Sequence, residues 1–178
     1  MQIEQSTKRL VLCAMFTAIG VLLGGPLSIP AFPMGVYSLK IGFGVLPVIL
    51  SGVLFGPLYG GIVGGLVDLL QALLFPKGAY VPWFTVVGLF FGLIPGLYFR
   101  RKQKPTLPRL FLAVGSGQIF GSVICNTILM VLLYGLPLGS ILVLRLINQA
   151  VMIPIYTILL YWLVPILHKS GVAGIQES

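Results

Sequence analysis

Between Glu4 and Glu177 the chain carries a single acidic residue, Asp68, and that residue stands inside a glycine-studded apolar run. The stretch from Phe55 to Phe84 reads FGPLYGGIVGGLVDLLQALLFPKGAYVPWF. It opens at a Gly56-Pro57 turn, ends its helical part at Phe75-Pro76 and passes through a short loop into Trp83-Phe84. A carboxylate placed within about 20 apolar residues constrains the solvent as much as the fold. In a bilayer such a group costs a few kcal/mol, faces the interior of a helix bundle and marks a functional site by default. The rest of the chain agrees with a bilayer: 58% of its 178 residues are hydrophobic and 8% are charged, against about 25% charged in soluble domains. That composition excludes one soluble domain, because too little polar surface remains to cover it.

A membrane span needs about 20 mostly apolar residues. Read this way, the chain is a single all-α integral membrane domain over residues 1–178 with six transmembrane helices. They are expected over 9–25, 39–55 (kinked at Pro47), 57–75, 83–99, 110–134 and 141–167, the last with kinks at Pro154 or Pro165. Lys8-Arg9 before LVLCAMFTAIGVLLGG imitates a signal peptide, but the apolar segments that follow make it a retained first helix. Lys8, Arg9, Arg100, Arg101, Lys102, Lys104, Arg109 and Lys169 fall on the side of the termini, against Lys40 and Lys77 on the other. Basic residues collect on the cytoplasmic side, so both termini are expected in the cytoplasm. The net charge of +8 lies mainly in these clusters. It forms no basic face on a soluble module, which argues against nucleic acid as a partner.

Small residues recur at helical i, i+4 spacing: Ala14/Ala18 and Gly20/Gly24, Gly60/Gly64 and Gly61/Gly65, Gly88/Gly92/Gly96, and Gly117/Gly121. Such pairs let helices approach where lipid supplies no hydrophobic drive between them. They serve internal packing or, best on the first helix, docking of another membrane subunit. Polar residues share faces too: Asp68 with Gln71; Gln118, Ser122, Cys125 and Asn126; and Arg145, Asn148 and Gln149. At about 1.5 Å per residue, Asp68 and Asn126 each lie roughly 12 Å below the outer helix ends. The polar groups therefore meet in one half of the bundle as an outward pocket. The bland alternative is an Asp68–Arg145 ion pair that only ties helices together. Around the rim stand Phe32, Tyr37, Tyr80, Trp83 and Phe84, with Lys40 and Lys77 suited to an anionic ligand. A flat polar ring with an acidic tail would stack on aromatics, give its N–H groups to a carboxylate and place its tail on basic groups.

No GxxxxGK[ST] phosphate loop, paired carboxylates, Ser/His pair or metal-ligand cluster is present, and His168 lies far from the polar faces. The chain is therefore expected to be no enzyme, with no catalytic residue, metal or cofactor. Cys13 and Cys125 lack any CxxC or Cys/His context and are read as packing residues. A pocket without an engine implies an energised partner.

Three stretches carry a family resemblance. Ala14-Met15-Phe16-Thr17-Ala18 matches an AxxxA motif, LYGGIVGGLVDLLQALLFPKGAYVPWFT (58–85) a third helix with its loop, and RLINQAVMIPIYTILLY (145–161) a sixth helix. Over its whole length the chain resembles the substrate-binding (S) components of energy-coupling factor (ECF) vitamin transporters, and among them the folate-specific ones. It departs from that pattern at Trp83, where many members carry a small residue. The resemblance implies high-affinity capture of folate outside a bacterial cell membrane and association with a transmembrane coupling subunit and two cytoplasmic ATPases. On this sequence it implies that Ala14 and Ala18 dock the coupling subunit. Asp68, Asn126, Arg145, Asn148 and Gln149 would line the pocket, with Lys40, Lys77, Tyr80, Trp83 and Phe84 at its rim. An S component for another vitamin and a non-transporting membrane assembly protein stay open as alternatives.

Overall fold

The computed structural model describes residues 2–27, 29–32, 39–76, 80–99 and 105–170, at 2–6, 29–32 and 39–41 by backbone alone. Its elements run α1 (Gln2–Gly24), β1 (Ile29–Phe32), β2 (Leu39–Ile41), α2 (Val45–Phe55), α3 (Pro57–Leu74) and α4 (Pro82–Phe99). Then follow α5 (Leu107–Gln118), a π-helical segment (Ile119–Cys125), α6 (Asn126–Tyr134) and α7 (Leu138–Lys169). Helix α5, the π segment and α6 form one continuous rod of 28 residues. Among the described residues, five helical rods are long and apolar enough to cross a membrane.

The second helix differs from expectation. It starts at Val45 rather than at 39 and has 11 residues, about 16 Å at 1.5 Å per residue and too short to span alone. Residues 39–41 instead pair antiparallel with β1, Ile29 opposite Ile41 and Pro30 opposite Lys40. Gly44 explains the late start. A Cβ there would lie 2.6 Å from Gly24 Cα and 2.9 Å from the Gly20 carbonyl oxygen, so the end of α1 and the start of α2 touch backbone to backbone. Pro47 then falls in the first turn of α2, where its missing N–H has no intrahelical partner to lose. Helix α2 is apolar all round and buried from Leu46 to Phe55, as a helix enclosed by others must be. Helices α1, α3, α4 and α7 surround it, and Ile49 and Leu54 join Val63, Leu110, Val114, Leu160 and Val164 in the core.

Outward faces are the reverse of a soluble protein's. Leu10, Met15, Leu58, Leu73, Leu132 and Trp162 are all exposed, an arrangement that lipid solvates and water does not.

The tightest packing joins α2, α3 and α4 through glycine. A Cβ on Gly60 would lie 2.5 Å from both Gly52 Cα and the Gly92 carbonyl oxygen. One on Gly92 would collide with the Gly60 backbone, one on Gly64 with the Gly88 carbonyl, and one on Gly96 would sit 2.6 Å from Pro57 Cα. The expected i, i+4 stripes on α3 and α4 thus face each other as an antiparallel backbone seam. The second α3 pair lies off this seam: a Cβ on Gly61 would meet Leu89 and Leu93 no nearer than 3.7 Å, and one on Gly65 would meet the Leu89 side chain at 2.7 Å. On α1 the small residues divide between two faces: Gly20 and Gly24 pack against Val67 and Gln71 of α3, while Ala14 and Ala18 are exposed.

Backbone atoms cannot yield as side chains can, so Gly92→Ala should destabilise the protein by about 1–3 kcal/mol. The neighbouring-stripe control Gly61→Ala should change stability little. Thermal unfolding of the two variants in detergent checks this, and equal melting temperatures would rule out the seam as the tight contact.

Candidate functional site

The ends of the helices carrying the α1–α2, α3–α4 and α6–α7 connections surround a cavity of about 470 Å³, within the size of small-molecule sites. Every helical rod contributes to it. Its polar lining comprises Asp68 and Gln71 of α3, Gln118, Ser122 and Asn126 of the α5–α6 rod, and Arg145, Asn148, Gln149 and Tyr156 of α7. Phe84 and Phe91 of α4 and Met152 of α7 supply flat or pliable apolar surface.

Asp68 is placed by the glycine seam. Gly64 meets Gly88, and the same antiparallel register, carried one turn further, sets Asp68 beside the first turn of α4. There the Thr85 hydroxyl donates to Asp68 Oδ2 at 2.9 Å, and the Tyr80 hydroxyl lies 2.9 Å from Thr85 Oγ1. Asp68 Oδ1 takes no partner among the described residues. Arg145 is engaged elsewhere, its Nη1 donating to the Ser122 carbonyl at 2.8 Å and to Ser122 Oγ at 3.3 Å. The two charges line the same cavity without forming an ion pair with each other, so an Asp68–Arg145 tie between helices is not what holds them.

The π segment is the main departure from the expected uninterrupted helix over 110–134. A π turn takes more residues than the 3.6 of an α turn. It therefore cancels part of the angular drift that residues at i, i+4 and i+8 accumulate, and it keeps Gln118, Ser122 and Asn126 on one wall. Its irregular ladder also presents the Ser122 carbonyl to Arg145. Gly121, at the centre, admits the Phe91 ring, which a Cβ would meet at 2.7 Å.

Helix α7 runs through Pro154 and Pro165 without a break. It is tied across the bundle by Tyr156, whose hydroxyl donates to the Gly42 carbonyl at 2.6 Å, with the Phe43 and Tyr156 ring centroids 6.3 Å apart, edge to face. Gln71 donates through Nε2 to the Gly20 carbonyl at 3.1 Å, which fastens α3 to α1 and leaves its oxygen for the cavity. Gln118 and Gln149 are 3% and 8% exposed, and Gln118 Nε2 and Gln149 Oε1 are buried without a partner. Buried polar atoms are seldom left so.

The cavity thus brings together Asp68, Phe84, Asn126, Arg145, Asn148 and Gln149 of the expected site. Trp83 stands outside the lining, 63% exposed, because on α4 it turns away from the face that carries Phe84, Gly88 and Phe91. Tyr80 also stands outside and reaches Asp68 only through Thr85. Lys77, Tyr37 and the side chains of Lys40 and Phe32 lie outside the described residues. Thr85, Phe91, Met152 and Tyr156 were not anticipated. An apolar sequence gives no signal that separates a lining aromatic from a packed one, and Thr85 looks like any helical threonine.

An open carboxylate edge, a guanidinium, amides and aromatic faces around a ligand-sized cavity, within helices solvated by lipid, define a small-molecule-binding membrane protein. The model of the ECF transporter substrate-specific component matches residues 8–167. The chain is 42% identical over 123 residues, 69% of its length and 71% of the relative's, to the folate transporter FolT of Clostridium novyi (strain NT). Its fold superposes with a TM-score of 0.74 on a crystal structure of FolT bound with folic acid, at 31% identity over 86% of this chain and 90% of that one. An S component for biotin from an ECF-type ABC transporter gives a TM-score of 0.74 at 22% identity, covering 95% of each chain, and shares the fold alone. The chain belongs to the family of substrate-specific components of ECF transporters, and it is a multi-pass membrane protein.

An unsatisfied buried polar atom costs about 1–3 kcal/mol. Gln118→Leu, which removes the unpartnered amide, should therefore raise the melting temperature of the ligand-free protein in detergent. A fall would show that the amide is needed for packing rather than held in reserve.

Proposed function

We propose that this protein captures folate outside a bacterial cell as the S component of an ECF-type transporter. The observation that carries the reading is the Asp68 carboxylate, held on one oxygen and open on the other, inside a ligand-sized cavity that Arg145 also lines. Folic acid presents the complement: a flat ring with N–H donors and a tail with carboxylates. In this reading Asp68 accepts from the ring, with Asn126, Asn148 and Gln149 satisfying its remaining donors and acceptors. Phe84 and Phe91 flank its faces. Arg145 adds positive charge to the cavity, and Lys40, Lys77, Tyr80 and Trp83 belong to the rim. The identity to a folate transporter and the likeness to a folic acid complex support the ligand class.

The rest of the assembly is part of the same proposal. Six helices cross the membrane, α2 completing its passage together with the β1–β2 pair, and the charge clusters hold both termini in the cytoplasm of the bacterial cell. The exposed Ala14 and Ala18, flanked by exposed Met15, Ile19 and Leu22, receive a transmembrane coupling subunit. ATP is hydrolysed by two cytoplasmic partner subunits.

Isothermal titration of the purified protein should give one folic acid per chain. Asp68→Ala and Arg145→Ala should each weaken binding by roughly 100-fold, on the scale of a lost charge-assisted hydrogen bond, with smaller effects on melting temperature. Loss of stability with unchanged affinity would return both residues to a structural role. Binding of biotin or thiamin in place of folic acid would reassign the ligand.

Ala14→Trp or Ala18→Trp should abolish uptake in cells while leaving folic acid affinity intact, because the added bulk stands on the outer face of α1. Lost affinity in either variant would count against a docking surface there.

A further inference from the structure

Threonines inside helices usually turn their hydroxyl back onto the carbonyl four residues earlier. Thr17 and Thr157 do so, donating to the Cys13 and Ile153 carbonyls respectively, both at 2.8 Å. Thr85 does not. Four residues before it stands Val81, whose carbonyl accepts the Phe84 N–H at 3.1 Å, and the Thr85 hydroxyl donates to Asp68 Oδ2 instead. A hydroxyl has one proton to give. With that proton on Asp68, the 2.9 Å contact between Tyr80 and Thr85 has one possible direction: the Tyr80 hydroxyl donates to Thr85 Oγ1. The result is a directed chain from an exposed tyrosine, through a half-buried threonine, to a carboxylate in the cavity wall.

The chain rests on rigid parts. Asp68 follows Gly64 by one turn and Thr85 precedes Gly88 by just under one, and Gly64 and Gly88 touch through their backbones. A Cβ on Gly88 would stand 3.0 Å from the Asp68 Cβ, so the root of the Asp68 side chain packs directly against α4. The hydrogen bond from Thr85 then fixes which oxygen faces α4 and which faces the cavity. Each donor along the chain also polarises the next, which strengthens the final bond to the carboxylate.

We propose that Thr85 is a positioning residue for ligand recognition, and that it, polarised by Tyr80, orients the Asp68 carboxylate so that Oδ1 is presented to paired N–H donors on a ring. The proposal deepens the folate reading and rests on Asp68 contacting the ligand. Tyr80 acts here as the outer donor of a hydrogen-bond chain, in addition to any contact at the rim.

The test is a set of folic acid affinities in purified full-length protein, each variant first shown monodisperse. Thr85→Val should weaken binding roughly 10-fold, and Thr85→Ser, which keeps the hydroxyl, should restore it. Tyr80→Phe should produce a smaller loss, about 3-fold, because the Thr85–Asp68 bond survives it. In an Asp68→Ala background Thr85→Val should have no further effect on affinity, since the two act through one contact. A purely structural threonine would instead lower the melting temperature in both backgrounds, and serine would not discriminate. If Asp68→Ala weakens binding while Thr85→Val does not, positioning by Thr85 is overturned and the folate reading stands. If Asp68→Ala leaves folic acid affinity unchanged, both fall. Should Thr85→Val fail to give folded protein, the Tyr80→Phe loss and its absence in the Asp68→Ala background decide the question.

Discussion

The contact between the backbones of Gly60 and Gly64 and those of Gly88 and Gly92 sets the geometry on which the site depends. In lipid, helices gain little by hiding apolar surface from one another, so the distance between them is set by how closely atoms can pack. Removing the side chains along this line brings α3 and α4 together until carbonyl oxygens meet Cα atoms. That approach has a consequence at its end. With the helices this close, a threonine hydroxyl on α4 reaches a carboxylate on α3 directly, where a seam of larger residues would leave a gap for water or lipid. Gly52 extends the same contact to α2, and the buried central helix gives the seam something rigid to lie against.

The second constraint is the treatment of polar groups in a chain with almost none to spare. Structural needs are met locally: Thr17, Ser51 and Thr157 turn their hydroxyls onto their own helices. Four long-range bonds among the described residues lie at the cavity. Gln71 joins α3 to α1, Tyr156 joins α7 to Gly42, Arg145 joins α7 to the π segment, and Thr85 joins α4 to α3. Each of these uses one capacity of a side chain and leaves another. A cavity wall that tied up every donor and acceptor would be more stable and would bind nothing polar. Gln118 Nε2 and Gln149 Oε1 stand in that wall without a hydrogen-bond partner.

Much of the site was legible in the sequence because the rule for polar groups in apolar helices is strict. Asp68, Asn126, Arg145, Asn148 and Gln149 have nowhere to go but inward, and a rise of about 1.5 Å per residue places Asp68 and Asn126 at similar depth. What was not legible follows from weaker rules. Trp83 and Phe84 are adjacent aromatics at a helix start, and which one faces the cavity depends on a helical phase that composition does not reveal. The start of α2 depends on Gly44 meeting Gly24, a contact between residues far apart in the chain. Stripes of small residues were visible on α1, but not that Gly20 and Gly24 face inward while Ala14 and Ala18 face out. The π segment is a property of backbone hydrogen bonding around Gly117 and Gly121 that no periodicity announces.

The ion pair that sequence reasoning held open illustrates why partners matter more than charges. A carboxylate and a guanidinium in one apolar bundle would neutralise each other most economically by direct contact, at the expense of a closed cavity. Here each is satisfied by neutral groups instead, Asp68 by a hydroxyl and Arg145 by a carbonyl and a hydroxyl. Neutral partners stabilise a charge without cancelling it. The cavity therefore retains a separate negative and a separate positive element, and a ligand that carries donors in one part and anionic groups in another meets both. A closed pair would recognise neither part. Under the proposed folate reading, the spacing of partners along α3, α4, the π segment and α7 is what would convert two costly charges from a structural burden into a basis for selection.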